Sequence, residues 1–100
     1  VYSARLNAGA GAAPTATILQ NTTGLTFTWT RIGTGQFLAT VAGTPFVANK
    51  FWAMVSAKGD EFPSVVRTAD NIARVDNINC SNAAAVDGIT EGFIEIRIYS

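Results

Sequence analysis

Residues 25–30 read Leu-Thr-Phe-Thr-Trp-Thr, apolar at every odd position and threonine at every even one. A β-strand points alternate side chains to opposite faces, so this segment is built to bury Leu25, Phe27 and Trp29 and to show water a row of threonines. A helix would turn Phe27 to the side opposite Leu25 and Trp29 and so divide the apolar set. The chain continues through Gly33-Thr34-Gly35 into Gln36-Phe37-Leu38-Ala39-Thr40-Val41. Two alternating runs joined by a short glycine-containing loop predict a hairpin, because glycine accepts the positive φ of a tight connection.

The same period returns at the C-terminal end, where residues 93–99 set Ile94, Ile96 and Ile98 on one face and Phe93, Glu95, Arg97 and Tyr99 on the other. The isoleucine face is predicted to lie in the core. The opposite face mixes aromatic rings with charge, a mixture that suits a solvated surface or a contact between subunits. Residues 1–6 and 15–20 are predicted strands separated by a small, glycine-rich loop. Residues 50–57 place Phe51, Ala53 and Val55 on one side and Trp52 and Met54 on the other, which predicts a strand covered on both faces. Residues 64–68 and 72–77 are two shorter strands across a turn. Residues 79–90 are predicted to be a loop with a helical turn at 83–85. These are about seven or eight short strands at roughly 8–12-residue spacing, the pattern of an all-β protein. The expected fold is a single domain, residues 1–100, forming an antiparallel β-sandwich, with a jelly-roll arrangement among the forms it can take.

Composition narrows the chemistry. With 48% hydrophobic and 14% charged residues, the chain is not of the disordered type. Seven Lys+Arg balance seven Asp+Glu, so no basic excess is available to displace counterions from a nucleic acid. There is no histidine, which removes Ser-His-Asp and Cys-His nucleophiles together with the commonest metal ligand. Asp60, Glu61, Asp70, Asp76 and Asp87 have oxygens suited to calcium, but no D-x-[DN]-x-[DN]-G loop is present, and the turn preference of Asp accounts for them as solvated turn residues. A carboxylate pair for glycoside hydrolysis would need a cleft that a chain this small has little room to form. Cys80 has no sequence neighbour to activate it and is expected to be a quiet, half-buried thiol. Gly9 and Gly11 lack the lysine and helix of a phosphate loop. Asn21-Thr22-Thr23 is a formal glycosylation sequon. No apolar run approaches twenty residues and no signal-peptide series is present, so membrane insertion is not expected. No enzyme activity, cofactor or metal is expected. Val1 stands first in place of Met, and the opening residues already read as strand, which leads to the expectation of a domain excised from a longer chain.

The apolar fraction is high for a lone sandwich of this size, and large exposed apolar patches on soluble proteins mark contacts. Self-association is therefore the expected use of the surface. Phe51, Trp52, Phe93, Arg97 and Tyr99 are the expected interface residues, and the loops 9–14 and 79–90 are the expected sites of receptor contact. The competing class is a carbohydrate-binding module in which Trp52 and Tyr99 lie exposed on one face.

The segments "YSARL", "APTATILQNTTG", "FTWTRIGTGQFLATVAGTPF", "NKFWAMVSA" and "IEIRIYS" together resemble a small β domain of bacteriophage and prophage structural proteins. The similarity spans nearly the whole chain, and its most specific pieces are "TWTRIGTGQFLATVAG" and "IEIRIY". The resemblance implies a virion or extracellular surface location and a non-enzymatic structural or adhesion role in a fibre or capsid-associated protein. It also implies assembly as a homotrimer, with other virion proteins or a cell-surface glycan as further partners. It supplies no catalytic residues, since members of the family are mostly of unknown function. Arg31 and Lys50 match the pattern and read as structural, whereas the loop 80–90 departs from it.

Overall fold

The two-residue period resolves into two stacked sheets in a computed structural model of the chain, which describes residues 1–99. Eight strands follow in order: β1 (Tyr2–Ala8), β2 (Thr15–Asn21), β3 (Thr28–Gly33), β4 (Gln36–Thr40), β5 (Phe51–Ser56), β6 (Glu61–Ala69), β7 (Ile72–Asn79) and β8 (Ile89–Ile98). The first sheet has the order β2-β1-β8-β5 and the second β3-β4-β7-β6. Every pairing is antiparallel. The fold is an all-β sandwich of two four-stranded sheets. Hairpins join β1 to β2, β3 to β4 and β6 to β7, and the first strand pairs with the last.

The four central strands supply most of the core. Tyr2, Ala4 and Leu6 of β1 and Ile94 and Ile96 of β8 face Phe37 and Ala39 of β4 and Ala73 and Val75 of β7, all of them buried. Phe46, from the connection before β5, is buried with them. A run of rings crosses the interior. Tyr2 stacks on Phe27 with centroids 3.9 Å apart, Phe27 lies 6.2 Å from Phe46, and Phe46 lies 4.9 Å from Phe51. Each fully buried aromatic of this kind contributes roughly 1.5–3 kcal/mol by leaving water. Trp29 Nε1 donates to Tyr2 Oη at 3.2 Å, so the phenol enters the core with its hydroxyl partnered.

Several expected boundaries move. Leu25 and Phe27 pack against the core as their alternation predicts, but they precede the ladder, and β3 begins at Thr28 and runs on to Gly33. β8 starts at Ile89, which is buried, so part of the expected 79–90 loop is strand. β6 extends from Glu61 to Ala69 across Pro63, a residue that hid the strand in the sequence. The expected helical turn at 83–85 does not form. Ala83 takes φ 59° and Ala85 makes an isolated antiparallel bridge to Ile78, folding the loop back on β7. A short 3₁₀ turn forms instead at Ala48–Lys50.

The expectation that β5 is covered on both faces is also corrected. β5 is an edge strand with Phe51, Ala53 and Val55 packed inward, while Trp52 and Met54 on its other face are 43% and 45% exposed. Among the described residues no layer lies over them. At that margin β5 runs against β6 and closes the sandwich, whereas among the described residues β2 and β3 make no comparable contact at the opposite margin. One side of the sandwich is shut and the other is open.

Candidate functional site on the outer face of the first sheet

The outer face of the first sheet gathers most of the residues expected at an interface. Register places Trp52 opposite Arg97, Met54 opposite Glu95 and Ser56 opposite Phe93. Directly opposed residues share a face, so Trp52, Met54, Phe93, Glu95 and Arg97 all point away from the core. Arg97 Nε donates to Glu95 Oε2 at 2.9 Å, and the guanidinium carbon lies 5.5 Å from the Trp52 ring centroid. That is the stacking geometry of a cation over an indole face. The backbone N–H of Tyr99 donates to the Lys50 carbonyl at 2.8 Å, which fixes the chain just beyond β8. Tyr99 is 54% exposed, and with Trp52 and Arg97 it lines an open depression of about 150 Å³. The Glu95 carboxylate, and after it Tyr99, hold the Arg97 proton more firmly than usual. An arginine keeps its charge at every physiological pH, so two rings and a fixed charge surround one hollow.

Of the five expected interface residues, Trp52, Arg97 and Tyr99 come together. Phe93 lies on the same face further along β8, opposite Arg5 and Ser56, and is half-buried. Phe51 does not join them, because its ring turns inward onto Phe46 and belongs to the core. Adjacent residues of one strand face opposite ways, so Phe51 and Trp52 cannot both serve the same surface.

The carboxylates do not converge on a site. Asp70 pairs with Arg67 at 2.8 Å and Asp76 with Arg74 at 3.0 Å. Among the described residues no three side chains of metal-ligating type cluster. Asp87 is not the solvated turn residue its neighbourhood suggests. It accepts Arg31 Nε at 2.9 Å and Nη2 at 3.1 Å, and the Gly11 N–H at 3.0 Å. The Arg31 hydrogen bond, chiefly, holds the Asp87 carboxyl below the usual range. Arg31 is thus structural: it ties β3 to Asp87 of the 79–90 loop, and Asp87 in turn holds the 9–14 loop through the Gly11 N–H.

Those loops are less free than expected. Asn79 N donates to Ala84 O at 2.7 Å, Val86 N to Asn77 O at 2.9 Å and Cys80 N to Asp60 O at 2.7 Å. Nothing in the sequence singled out Asn77. Its side chain is buried, and Nδ2 donates to Glu61 Oε1 and to the Gly88 carbonyl, both at 2.9 Å. Glu61 Oε1 also accepts Thr90 N at 2.9 Å. These four residues clamp the loop end to β6 and β7. The Cys80 thiol is exposed rather than half-buried. The Asn21 amide of the sequon is engaged locally, with Nδ2 donating to Leu25 O and Oδ1 accepting Thr23 N and Oγ1.

Comparison with known protein families, with curated proteins and with solved structures gave no match to this chain. The geometry of the sheet face and of its edges carries the functional reading.

Proposed function

We propose that this domain is a non-enzymatic assembly module that packs against copies of itself through the outer face of the first sheet. The observation behind this reading is the grouping of exposed Trp52 and Tyr99 around Arg97, with exposed Met54 further along the same edge-proximal face. Aromatic rings and arginine are the side chains that anchor protein contacts: the rings bury a large area at modest cost in rotamer entropy, and the planar guanidinium stacks and donates in a fixed fork. The trimeric copy number and the phage context rest on the sequence resemblance alone.

A second reading is favoured by the same rings. Trp52 and Tyr99 lie exposed on one face and border one hollow, which is the arrangement a sugar-binding platform requires. The two readings part in a direct test. Light scattering across a hundredfold concentration range is run on the unaltered protein, Trp52→Ala and Tyr99→Ala, beside a glycan-binding screen of the same three. Assembly that weakens in both variants, with no glycan retained, supports the packing module. Glycan binding lost in Trp52→Ala at an unchanged mass moves the assignment to a carbohydrate platform.

A further inference from the structure

The four edge strands of the sandwich are not equally protected. An edge presents unpaired N–H and C=O groups, and natural sheets blunt it with charge, proline, a β-bulge, inward-pointing charged side chains or a covering element. β6 carries Pro63, with Glu61 and Arg67 paired opposite residues of β7. β3 carries Arg31, paired opposite the buried Phe37, so its guanidinium is on the inner face with Asp87. β5 runs beside β6. β2, Thr-Ala-Thr-Ile-Leu-Gln-Asn, has no charge and no proline, and the single bulge at Leu19 is the protection it carries. It pairs only with β1, and among the described residues no other backbone hydrogen bond reaches it.

The side chains of β2 point the same way. Ile18 is paired opposite the buried Ala4, which places it on the inner face, yet it is 57% exposed at the open margin. Leu19 has no partner at the bulge between Gln20 and Ile18 and is 56% exposed. Residues 6–30, twenty-five in succession, contain no Asp, Glu, Lys or Arg, and the whole chain has a formal net charge of zero.

We infer that β2 is a self-pairing edge, and that its occupant is the β2 strand of a second copy, antiparallel across a twofold axis perpendicular to the sheet. Three features favour a copy of this chain over a foreign strand. The edge is neutral, so a charged partner strand would lose hydration against it without gaining an opposite charge. The chain as a whole is neutral, so nothing repels a second copy. Antiparallel pairing about a twofold also presents each edge to its own complement, an isologous contact that closes at two. The axis keeps both inner faces on one side, and the register that sets Ile18 beside its counterpart covers both side chains. The product is a continuous eight-stranded sheet with the order β5-β8-β1-β2-β2-β1-β8-β5.

The test is the solution mass of the full chain by sedimentation velocity over a hundredfold concentration range, for the unaltered protein, Ile18→Lys, Leu19→Lys and Trp52→Ala. Amide exchange of residues 15–21 is followed at both ends of that range. The expected results are an even-numbered assembly, loss of its twofold step in Ile18→Lys and Leu19→Lys, and slower exchange in 15–21 at high concentration. Both positions are already half in water, and an unchanged cooperative unfolding transition verifies that the variants fold. An unaltered protein that is monomeric or trimeric at every concentration overturns the inference. So does an assembly indifferent to both lysines, or exchange in 15–21 that does not depend on concentration. A mass that falls only in Trp52→Ala overturns self-pairing while upholding the packing face. A mass that falls only in the lysine variants does the reverse.

Discussion

Replacing Asn77 by Asp changes one NH₂ for an oxygen and almost no volume, at a side chain 1% exposed. The unaltered amide donates to Glu61 Oε1 and to the Gly88 carbonyl, both at 2.9 Å. At neutral pH the variant puts an ionised carboxylate in the same place. It is desolvated, it faces the Glu61 carboxylate where a donor stood, and it leaves the Gly88 carbonyl without its partner. An uncompensated buried charge of this kind costs about 3–5 kcal/mol. The protonated acid is uncharged and restores one of the two donors, so the cost then drops to that of one unpaired buried group, about 1–3 kcal/mol. Burial first, and Glu61 second, raise the new carboxyl above its unfolded value near about 3.9. The folded variant therefore binds the proton more tightly than the unfolded one. Its stability is fully present below the unfolded value and is lost as pH rises through the raised folded value. Urea denaturation of both proteins between about pH 3.5 and pH 7 measures the gap, and a gap of about 3 kcal/mol corresponds to roughly 12–24 °C in Tm for a domain of this size. The gap is expected to widen with pH. A gap that is constant, or that widens toward acid, would refute the placement of the Asn77 amide against Glu61.

Three further outcomes follow from the same contacts. Gly35 and Gly59 sit at φ 67° and φ 66°. Alanine at either position is forced into a left-handed turn conformation, which costs about 1–2 kcal/mol. Only Gly35→Ala also sets its Cβ 2.7 Å from the Asn77 carbonyl oxygen and 2.9 Å from that of Val86. Its stability in a denaturant titration should therefore fall below that of Gly59→Ala by a further ~1–3 kcal/mol. Burial raises the Tyr2 phenol above its ordinary value, with the Trp29 hydrogen bond opposing in part. The Tyr2 contribution to stability is thus flat below about pH 10 and falls as pH rises through the folded value, and Tyr2→Phe should remove that part of the alkaline slope in a thermal-melt series while costing about 1 kcal/mol at neutral pH. Asp87 is held below its ordinary range. It contributes above its unfolded value of about 3.9 and loses that contribution as pH falls through the lowered one. Asp87→Asn should flatten this acid limb and speed exchange of the Gly11 amide at neutral pH, and an unchanged Gly11 rate would show that the Gly11–Asp87 bond is not formed in solution.

What was legible in the sequence is the part governed by local alternation. Leu25, Phe27 and Trp29 against the threonines, and Ile94 and Ile96 against Glu95 and Arg97, each carry their burial in a period of two, and the sandwich follows from that. Sheet order is a property of pairing between distant segments, so nothing local marked β5 as an edge. Its doubly apolar pattern read as a strand covered on both sides. Phe51 and Trp52 are neighbours on one strand, so the same alternation sends them to opposite faces and divides the expected interface. The Arg31–Asp87 pair spans 56 residues and the Asn77–Glu61 bond 16, neither with a spacing signal of its own. Proline hid the start of β6, although the inner positions of that strand from Glu61 to Ala69 keep the period throughout.

The two proposed contact surfaces occupy opposite margins of the same sheet, and this bears on what an assembly would look like. β2 is one edge, and Trp52 with Arg97 lies on the other edge strand and its neighbour. In a dimer paired through β2, the twofold axis leaves both outer faces on the same side. The two Trp52–Arg97–Tyr99 hollows, each between β5 and β8, then sit near the ends of one sheet, six interstrand steps of about 4.8 Å or roughly 29 Å apart. A single isologous contact stops at two copies, whereas a second contact at the far margin lets each dimer engage others and the assembly grow. The same spacing gives a dimer two points of attachment to any extended partner, and the second attachment is then intramolecular. Ile18→Lys should therefore do more than halve a mass. It should also remove the part of binding strength that depends on two hollows acting together, while Trp52→Ala removes the attachment itself and leaves the β2 pair intact.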